Sequence, residues 1–315
     1  TKVDYKTKGG LKGAVFGIYP IAARDQEPIQ KVTSDSNGIV ISEPLSEGEY
    51  YLKELSAPDH YLLNQKEYGP YKVVAGQITK SGEDVTAAPS QIENYGKTFI
   101  QIIKQDTNGQ AINTEYMKDA SFGLYKTQND AENKTNAIEI ISGGKTAFST
   151  PLMPETAYWV RELKAPNGYV LDETPRSVTT GSAAESIVSL TLQNSPYGSL
   201  TIEKRAQWEL PTTSSTQQLP LSGVSFSLYK YRGDTSDHHG DLVETKKTDA
   251  DGKLTFMNLP AGDYVLYEAT PDGFADPDTA ANNIVVTILE GQENTELTAD
   301  HALINYPRLG KFIFT

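Results

Sequence analysis

Three glutamates raise the question of what this chain can do chemically. Glu54, Glu162 and Glu268 each close a Tyr-x-apolar-x-Glu run: Tyr50/Leu52/Glu54, Tyr158/Val160/Glu162 and Tyr264/Leu266/Glu268. In extended backbone, alternate side chains share a face, so each carboxyl points with its Tyr and apolar neighbour into a core. Carboxyls are rarely left there without a partner. Two other groups recur beside them. A lysine continues an apolar face in Ile100/Ile102/Lys104 and Leu200/Ile202/Lys204, and Lys2 holds the matching place at the start of the chain. An asparagine ends a face in Ile92/Asn94, Leu190/Leu192/Asn194 and Leu303/Asn305. The sets are Lys2/Glu54/Asn94, Lys104/Glu162/Asn194 and Lys204/Glu268/Asn305.

Lys, Glu and Asn together are what an uncatalysed transamidation needs. A solvated lysine, with a pKa of about 10.4, is a poor nucleophile; burial favours the neutral amine. Burial also raises a glutamate above its usual value of about 4.3, so that it can donate a hydrogen bond to the Asn carbonyl and carry protons as ammonia leaves. Folding supplies the proximity. The product is one amide crosslink between first and last strands, formed once and not turned over. Taken singly, each of these residues would read as an ordinary salt bridge or strand-end hydrogen bond. Threefold repetition argues for the crosslink.

The elements that must hold these groups are strands. The Tyr-x-apolar-x-Glu run recurs at intervals of roughly 100 residues, the size of one β-sandwich domain. Upstream of it lies a second repeat with period-2 alternation: Ala14-Val15-Phe16-Gly17-Ile18-Tyr19, Ala120-Ser121-Phe122-Gly123-Leu124-Tyr125 and Val224-Ser225-Phe226-Ser227-Leu228-Tyr229. Turn sequences separate the two: Ser36-Asn37-Gly38, Ser142-Gly143-Gly144 and Asp249-Ala250-Asp251-Gly252. No stretch sustains a helical period over four turns. Composition agrees, with 315 residues, 37% hydrophobic content, 18 Tyr, 25 Gly and 17 Pro. A net charge of -13 argues against nucleic acid. No apolar run approaches the ~20 residues of a membrane span, and the absence of cysteine excludes disulfides and thiolate chemistry.

With these residues in place, the chain resembles the collagen-adhesin B-type repeat domains of Gram-positive surface adhesins and sortase-assembled pilins. In that family the lysine of a Lys-x-Asp stretch is bonded to an Asn near the domain's end, and the Glu lies in a Tyr-x-Leu-x-Glu-x-x-Ala-Pro-x-Gly-Tyr box. Lys2-Val3-Asp4 and Lys104-Gln105-Asp106 match the first motif, while Lys204-Arg205-Ala206 lacks the Asp. The box is nearly complete in the second unit. The first has Asp59-His60 where Gly is expected, and the third has Thr270 for Ala and Phe274 for Tyr. The resemblance implies an all-β chain of three tandem immunoglobulin-like or prealbumin-like β-sandwich domains arranged as an elongated rod. Their expected bounds are 1–96, 97–197 and 198–309, with 310–315 beginning a further repeat. It also implies Glu54, Glu162 and Glu268 as promoters of crosslinks joining Lys2 to Asn94, Lys104 to Asn194 and Lys204 to Asn305. Lys6 is an alternative to Lys2.

The function expected is a stalk segment of a cell-wall-anchored surface adhesin or pilin, extracellular and monomeric, with neighbouring repeats of the same chain as its partners. An adhesive module contacting host extracellular matrix or another cell-surface ligand is the alternative, with the Trp208–Gln218 insertion, read as an extended loop, and the His238 region as places to look. No cofactor, metal, nucleic acid or membrane contact is expected. His238-His239 lacks ligand spacing, and Asp249-Ala250-Asp251-Gly252 reads as a hairpin turn rather than a calcium loop. Leu219-Pro220-Leu221-Ser222-Gly223 resembles a sortase signal only by chance. No nucleophile–base pair or phosphate loop suggests a turnover enzyme.

Overall fold

The computed structural model describes residues 1–74, 77–80, 91–210, 215–275 and 283–308. It is built from strands, with helices no longer than the six residues of Gln128–Asn133. The expected further repeat at 310–315 lies outside the described residues. The chain forms two compact units: Thr1–Ile103 with Ser121–Leu163 and Glu173–Leu192, and Lys104–Ala120 with Lys164–Asp172 and Gln193–Thr315. The first repeat lies wholly in one unit and the third in the other.

In the first repeat, the short strands Lys2–Asp4 and Ile92–Asn94 run parallel, with Asp4 opposite Asn94. Beside them a five-stranded antiparallel sheet is ordered Gln30–Thr33, Val15–Pro20, Gly48–Ser56, Glu67–Val74, Gln77–Lys80. Its inward face and Ile92 form the core, including Phe16, Ile18, Val32, Tyr50 and Val73. The alternation read from the sequence is what places Phe16 and Ile18 inside, because a pleated strand sends every second side chain to the same face.

The third repeat is the most complete sandwich. The long strand Gly198–Leu210 pairs with Lys253–Leu259 on one side, and with Glu293–Leu297 and Leu303–Asn305 in parallel. A second sheet is ordered His239–Lys247, Ser225–Tyr231, Gly262–Ala269, Asn283–Ile288. Leu200, Ile202 and Phe256 from one sheet meet Phe226, Leu228 and Leu266 from the other in a single apolar cluster. In the middle repeat a four-stranded sheet runs Glu139–Ser142, Ser121–Tyr125, Ala157–Lys164, Arg176–Thr179.

One expectation fails. The Trp208–Gln218 insertion is not an extended loop: Gly198–Leu210 continues past Lys204 and pairs antiparallel with Ser215–Pro220, Trp208 opposite Gln217. Polar, Thr- and Gln-rich residues hid a two-stranded ribbon that has no core to alternate against, so the period-2 signal was missing there.

Candidate functional site

Each Lys, Glu and Asn of the three sets is buried. The strand Thr98–Asp106 buries Thr98, Ile100, Ile102 and Lys104 on one face. Glu54, Glu162 and Glu268 are 5%, 2% and 5% exposed, and Asn94, Asn194 and Asn305 no more than 2%. Lys2 and Lys204, at 0% and 1%, are among the most completely buried large side chains of the protein.

In the third repeat the three groups close a triangle. Lys204 Nζ lies 2.7 Å from Glu268 Oε2 and donates to Asn305 Oδ1 at 2.7 Å. Asn305 Nδ2 donates to Glu268 Oε1 at 2.6 Å. In the first repeat Lys2 Nζ is 3.1 Å from Glu54 Oε1 and in very short contact with Asn94 Oδ1, while Asn94 Nδ2 donates to Glu54 Oε1 at 3.1 Å. The second oxygen of Glu54 accepts from the Asn64 backbone N–H at 2.7 Å. Parallel pairing creates this geometry: Ala206 is opposite Asn305, so Lys204, two residues earlier, shares the Asn face and reaches along it. Lys6, the alternative nucleophile, is instead exposed and donates to Glu155 at 2.6 Å. In the middle repeat Lys104, Glu162 and Asn194 are all buried, and Asn194 Nδ2 donates to the Val170 carbonyl at 2.6 Å.

One expected contact runs the other way. The carboxyl was expected to donate to the Asn carbonyl; instead Glu54 and Glu268 each accept from the Asn amide nitrogen, and the carbonyl oxygen faces the lysine. The physical reason is that the amine is the stronger donor in each triangle, so it takes the carbonyl and leaves the NH2 for the carboxyl.

Burial lowers Lys2 and Lys204 below the ordinary lysine range, and the attraction of Glu54 and Glu268 offsets this only in part. The rings of Phe16 and Phe226 lie 5.6 and 6.0 Å from the two amines. What burial and geometry offer is an amine with reduced proton affinity held against a carboxamide oxygen, with a carboxyl on the amide nitrogen.

Several residues position the site in ways that the sequence pattern did not reveal. The turns containing Gly38 and Gly252 hold the lysine backbones: Lys2 N donates to Gly38 O at 2.6 Å, and Lys204 N to Gly252 O at 2.7 Å. Both glycines have positive φ, and a Cβ on either would collide with the lysine's own carbonyl oxygen. Asp35 and Asp249 make these turns by accepting two backbone N–H bonds each, so the third sequence is a turn, as read. Buried Ser34 and Thr248 clamp the next loop, accepting from Ala14 N and Val224 N while donating to Leu11 O and Leu221 O.

The Asp of the Lys-x-Asp stretch has its own partner. Burial alone would raise Asp4, but bonds from the Thr7 and Lys6 backbone and the Tyr61 hydroxyl outweigh it and hold the carboxyl below its usual value. Tyr61, half-buried and bonded to Asp4, is pushed up to about 12. The third repeat carries Ala206 and Phe274 at these two places, an apolar pair in exchange for a polar one. His60 takes φ of 70° where Gly168 and Gly273 take 83° and 86°, so the box glycine marks a left-handed residue that His60 also adopts.

Among the described residues no group of His, Asp and Glu is arranged to hold a metal, and none of the helices is long and apolar enough to cross a membrane. His239 stacks on Tyr229 at 4.1 Å and faces Asn283 at 2.8 Å.

Comparison with known proteins completes the description. A family model described as the SpaA prealbumin-like fold domain matches three times, at residues 1–86, 98–196 and 206–302. The trypsin-resistant surface T6 protein of Streptococcus pyogenes is 37% identical over 94 residues, 30% of this chain and 16% of that protein. Serine-aspartate repeat-containing protein F of Staphylococcus epidermidis is 22% identical over 296 residues, 88% of this chain and 18% of that protein. The chain thus spans less than a fifth of either relative's length. Among solved structures, the shaft pilin SpaA of Lactobacillus rhamnosus GG covers 69% of this chain and 99% of its own, at 13% identity and a TM-score of 0.35.

Proposed function

We propose, from the premise that this chain belongs to the SpaA prealbumin-like fold domains, the repeat domains of Gram-positive surface adhesins and pilins, that it is a stalk segment whose domains lock themselves with Lys–Asn amide bonds. The observation that carries this reading is the buried triangle of Lys204, Glu268 and Asn305, with all three separations at 2.6–2.7 Å.

The reaction balances without any co-reactant. Neutral Lys204 Nζ attacks Asn305 Cγ; the Cγ–Nδ2 bond breaks, and a new Cγ–Nζ amide forms. Glu268 takes a proton from the attacking nitrogen and delivers one to the departing nitrogen, which leaves as ammonia. Its contact with Nδ2 puts it on the leaving group throughout. Lys2, Glu54 and Asn94 take the same roles in the first domain, and Lys104, Glu162 and Asn194 in the second. Each Glu acts once, so the protein is no turnover enzyme. The stalk would stand on the cell surface, anchored by parts of a longer protein, and hold an adhesive region away from the wall.

Intact mass of the denatured chain tests the reading. Three ammonia masses below the sequence mass are expected, and two in Glu162→Ala. A mass equal to that of the sequence would overturn the crosslinking mechanism and leave three buried polar triads in an ordinary sandwich.

A further inference from the structure

The first and third domains hold their glutamates differently. Glu268 gives one oxygen to each nitrogen, Oε2 to Lys204 at 2.7 Å and Oε1 to Asn305 at 2.6 Å. Glu54 meets both nitrogens with a single oxygen: Oε1 lies 3.1 Å from Lys2 Nζ and accepts from Asn94 Nδ2 at 3.1 Å. Its other oxygen is taken by the Asn64 backbone N–H at 2.7 Å.

Asn64 belongs to a short strap, residues 61–64, that touches all three strands of the first triad. Tyr61 bonds to Asp4, two residues after Lys2. Leu62 N donates to Tyr95 O at 2.8 Å, one residue beyond Asn94. Asn64 itself is bonded through both polar atoms of its side chain. Nδ2 donates to Glu93 O at 2.9 Å and to the Tyr68 hydroxyl at 2.8 Å, and Oδ1 accepts from Lys66 N at 3.0 Å. A backbone carbonyl only accepts and a backbone N–H only donates, so these partners fix the amide in one orientation. The side chain ties the strap to the strand of Asn94, and the main chain carries that tie to the carboxyl of Glu54.

The same position is filled differently in the other domains. Counting three residues past the aromatic of each box, Tyr61, Tyr169 and Phe274, gives Asn64, Asp172 and Pro277. Pro277 lies outside the described residues, but a proline has no N–H to donate. Glu268 in that domain is the glutamate whose two oxygens both meet the reacting groups.

We propose, resting on the crosslinking reading above, that Asn64 is a positioning residue for the first crosslink. Its N–H fixes the Glu54 carboxyl so that one oxygen takes the proton from Lys2 Nζ and hands it to Asn94 Nδ2. The Nζ–Cγ bond forms, the Cγ–Nδ2 bond breaks, and that proton leaves with the ammonia. The carboxylate is restored without having to turn.

Site-resolved kinetics test this. Chain made by cell-free synthesis is quenched with acid at intervals, and tryptic mapping gives the linked fraction of each domain. In Asn64→Ala the Lys2–Asn94 bond is expected to form roughly tenfold more slowly or worse, since a misplacement of about 1 Å can cost a hundredfold. The Lys204–Asn305 bond in the same molecules is expected to keep its wild-type rate. Asn64→Asp, which keeps an acceptor for Lys66 N but sets an oxygen against the Glu93 carbonyl, is expected to be as slow. The amide proton of residue 64 reports the bond itself, because a charge-assisted bond of this length draws it downfield. Glu54→Gln is expected to move that resonance upfield, and so is Asn64→Ala; a strap that only packs would leave it unmoved by Glu54→Gln. A first bond that forms at wild-type speed in Asn64→Ala would overturn the proposal and leave the crosslinking reading standing, as would a resonance indifferent to Glu54→Gln. Absence of the Lys2–Asn94 bond from the wild type would also overturn it, and absence of all three bonds would overturn that reading as well.

Discussion

The proposed chemistry turns on which groups carry protons. Lys204 is held below the ordinary lysine range by burial, with Glu268 pulling the other way, so the neutral amine becomes plentiful at a pH below that of a solvated lysine. The crosslinking rate of freshly refolded, unreacted chain should therefore rise with pH and level off before about 10.4, the ordinary lysine value. Mass spectra of acid-quenched time points would show this, and a rate still climbing beyond that value would contradict the lowered pKa. Linkage gives a companion sign. Between the lowered folded value and the ordinary unfolded one, the unfolded chain binds more protons, so stability of the unreacted domain rises with pH across that window. Glu268→Gln keeps the shape of the carboxyl but cannot shuttle a proton. It should retain the fold and lose one ammonia fewer than the wild type, whereas a full three-ammonia deficit would remove Glu268 from the mechanism.

At the scale of elements, the turns matter as much as the strands that carry Lys204 and Asn305. Gly252→Ala would put a Cβ against the Lys204 carbonyl at a positive φ, costing roughly 1–2 kcal/mol for the backbone alone. The third domain should then lose stability and crosslink incompletely while the other two keep their deficits, which tryptic mapping of the linked peptides would resolve. The Asp4–Tyr61 contact makes a second prediction. Tyr61→Phe leaves a buried carboxylate short of one donor, at a cost of about 1–3 kcal/mol. Asp4→Ala with Tyr61→Phe copies the Ala206/Phe274 pair of the third domain and should recover much of that loss. A double-mutant cycle from urea unfolding would return a coupling near zero if the contact is idle. These elements also mark how far the sequence could be read. Tyr50/Leu52/Glu54 and Ile100/Ile102/Lys104 were legible because burial on a strand has period 2 and repeats three times. Gly38 beside Lys2, Ser34 beneath Leu11 and the orientation of the Asn amides were not, because each depends on contacts between segments far apart in sequence. The ribbon after Lys204 was missed for want of a buried face.

For the whole molecule, the proposed bonds decide where force goes. Lys204 and Asn305 lie on adjacent parallel strands at the two ends of one domain, so tension entering through the first strand can leave through the amide without loading the 101 residues of sequence separation between them. Closing a loop of that size stabilises a domain by about 4–5 kcal/mol on the chain-entropy account developed for disulfides, and an amide, unlike a disulfide, resists reduction. Without the bond, the same strands would be sheared apart and the sandwich would unravel. Pulled from its two ends, the wild-type chain should therefore extend without releasing that loop. Glu268→Ala should add one unfolding step of about 35 nm, from roughly 3.5 Å for each freed residue. A step of that length in the wild type would mean that load runs through the sandwich itself, and hydrogen-bonded strands alone would then have to carry the stalk.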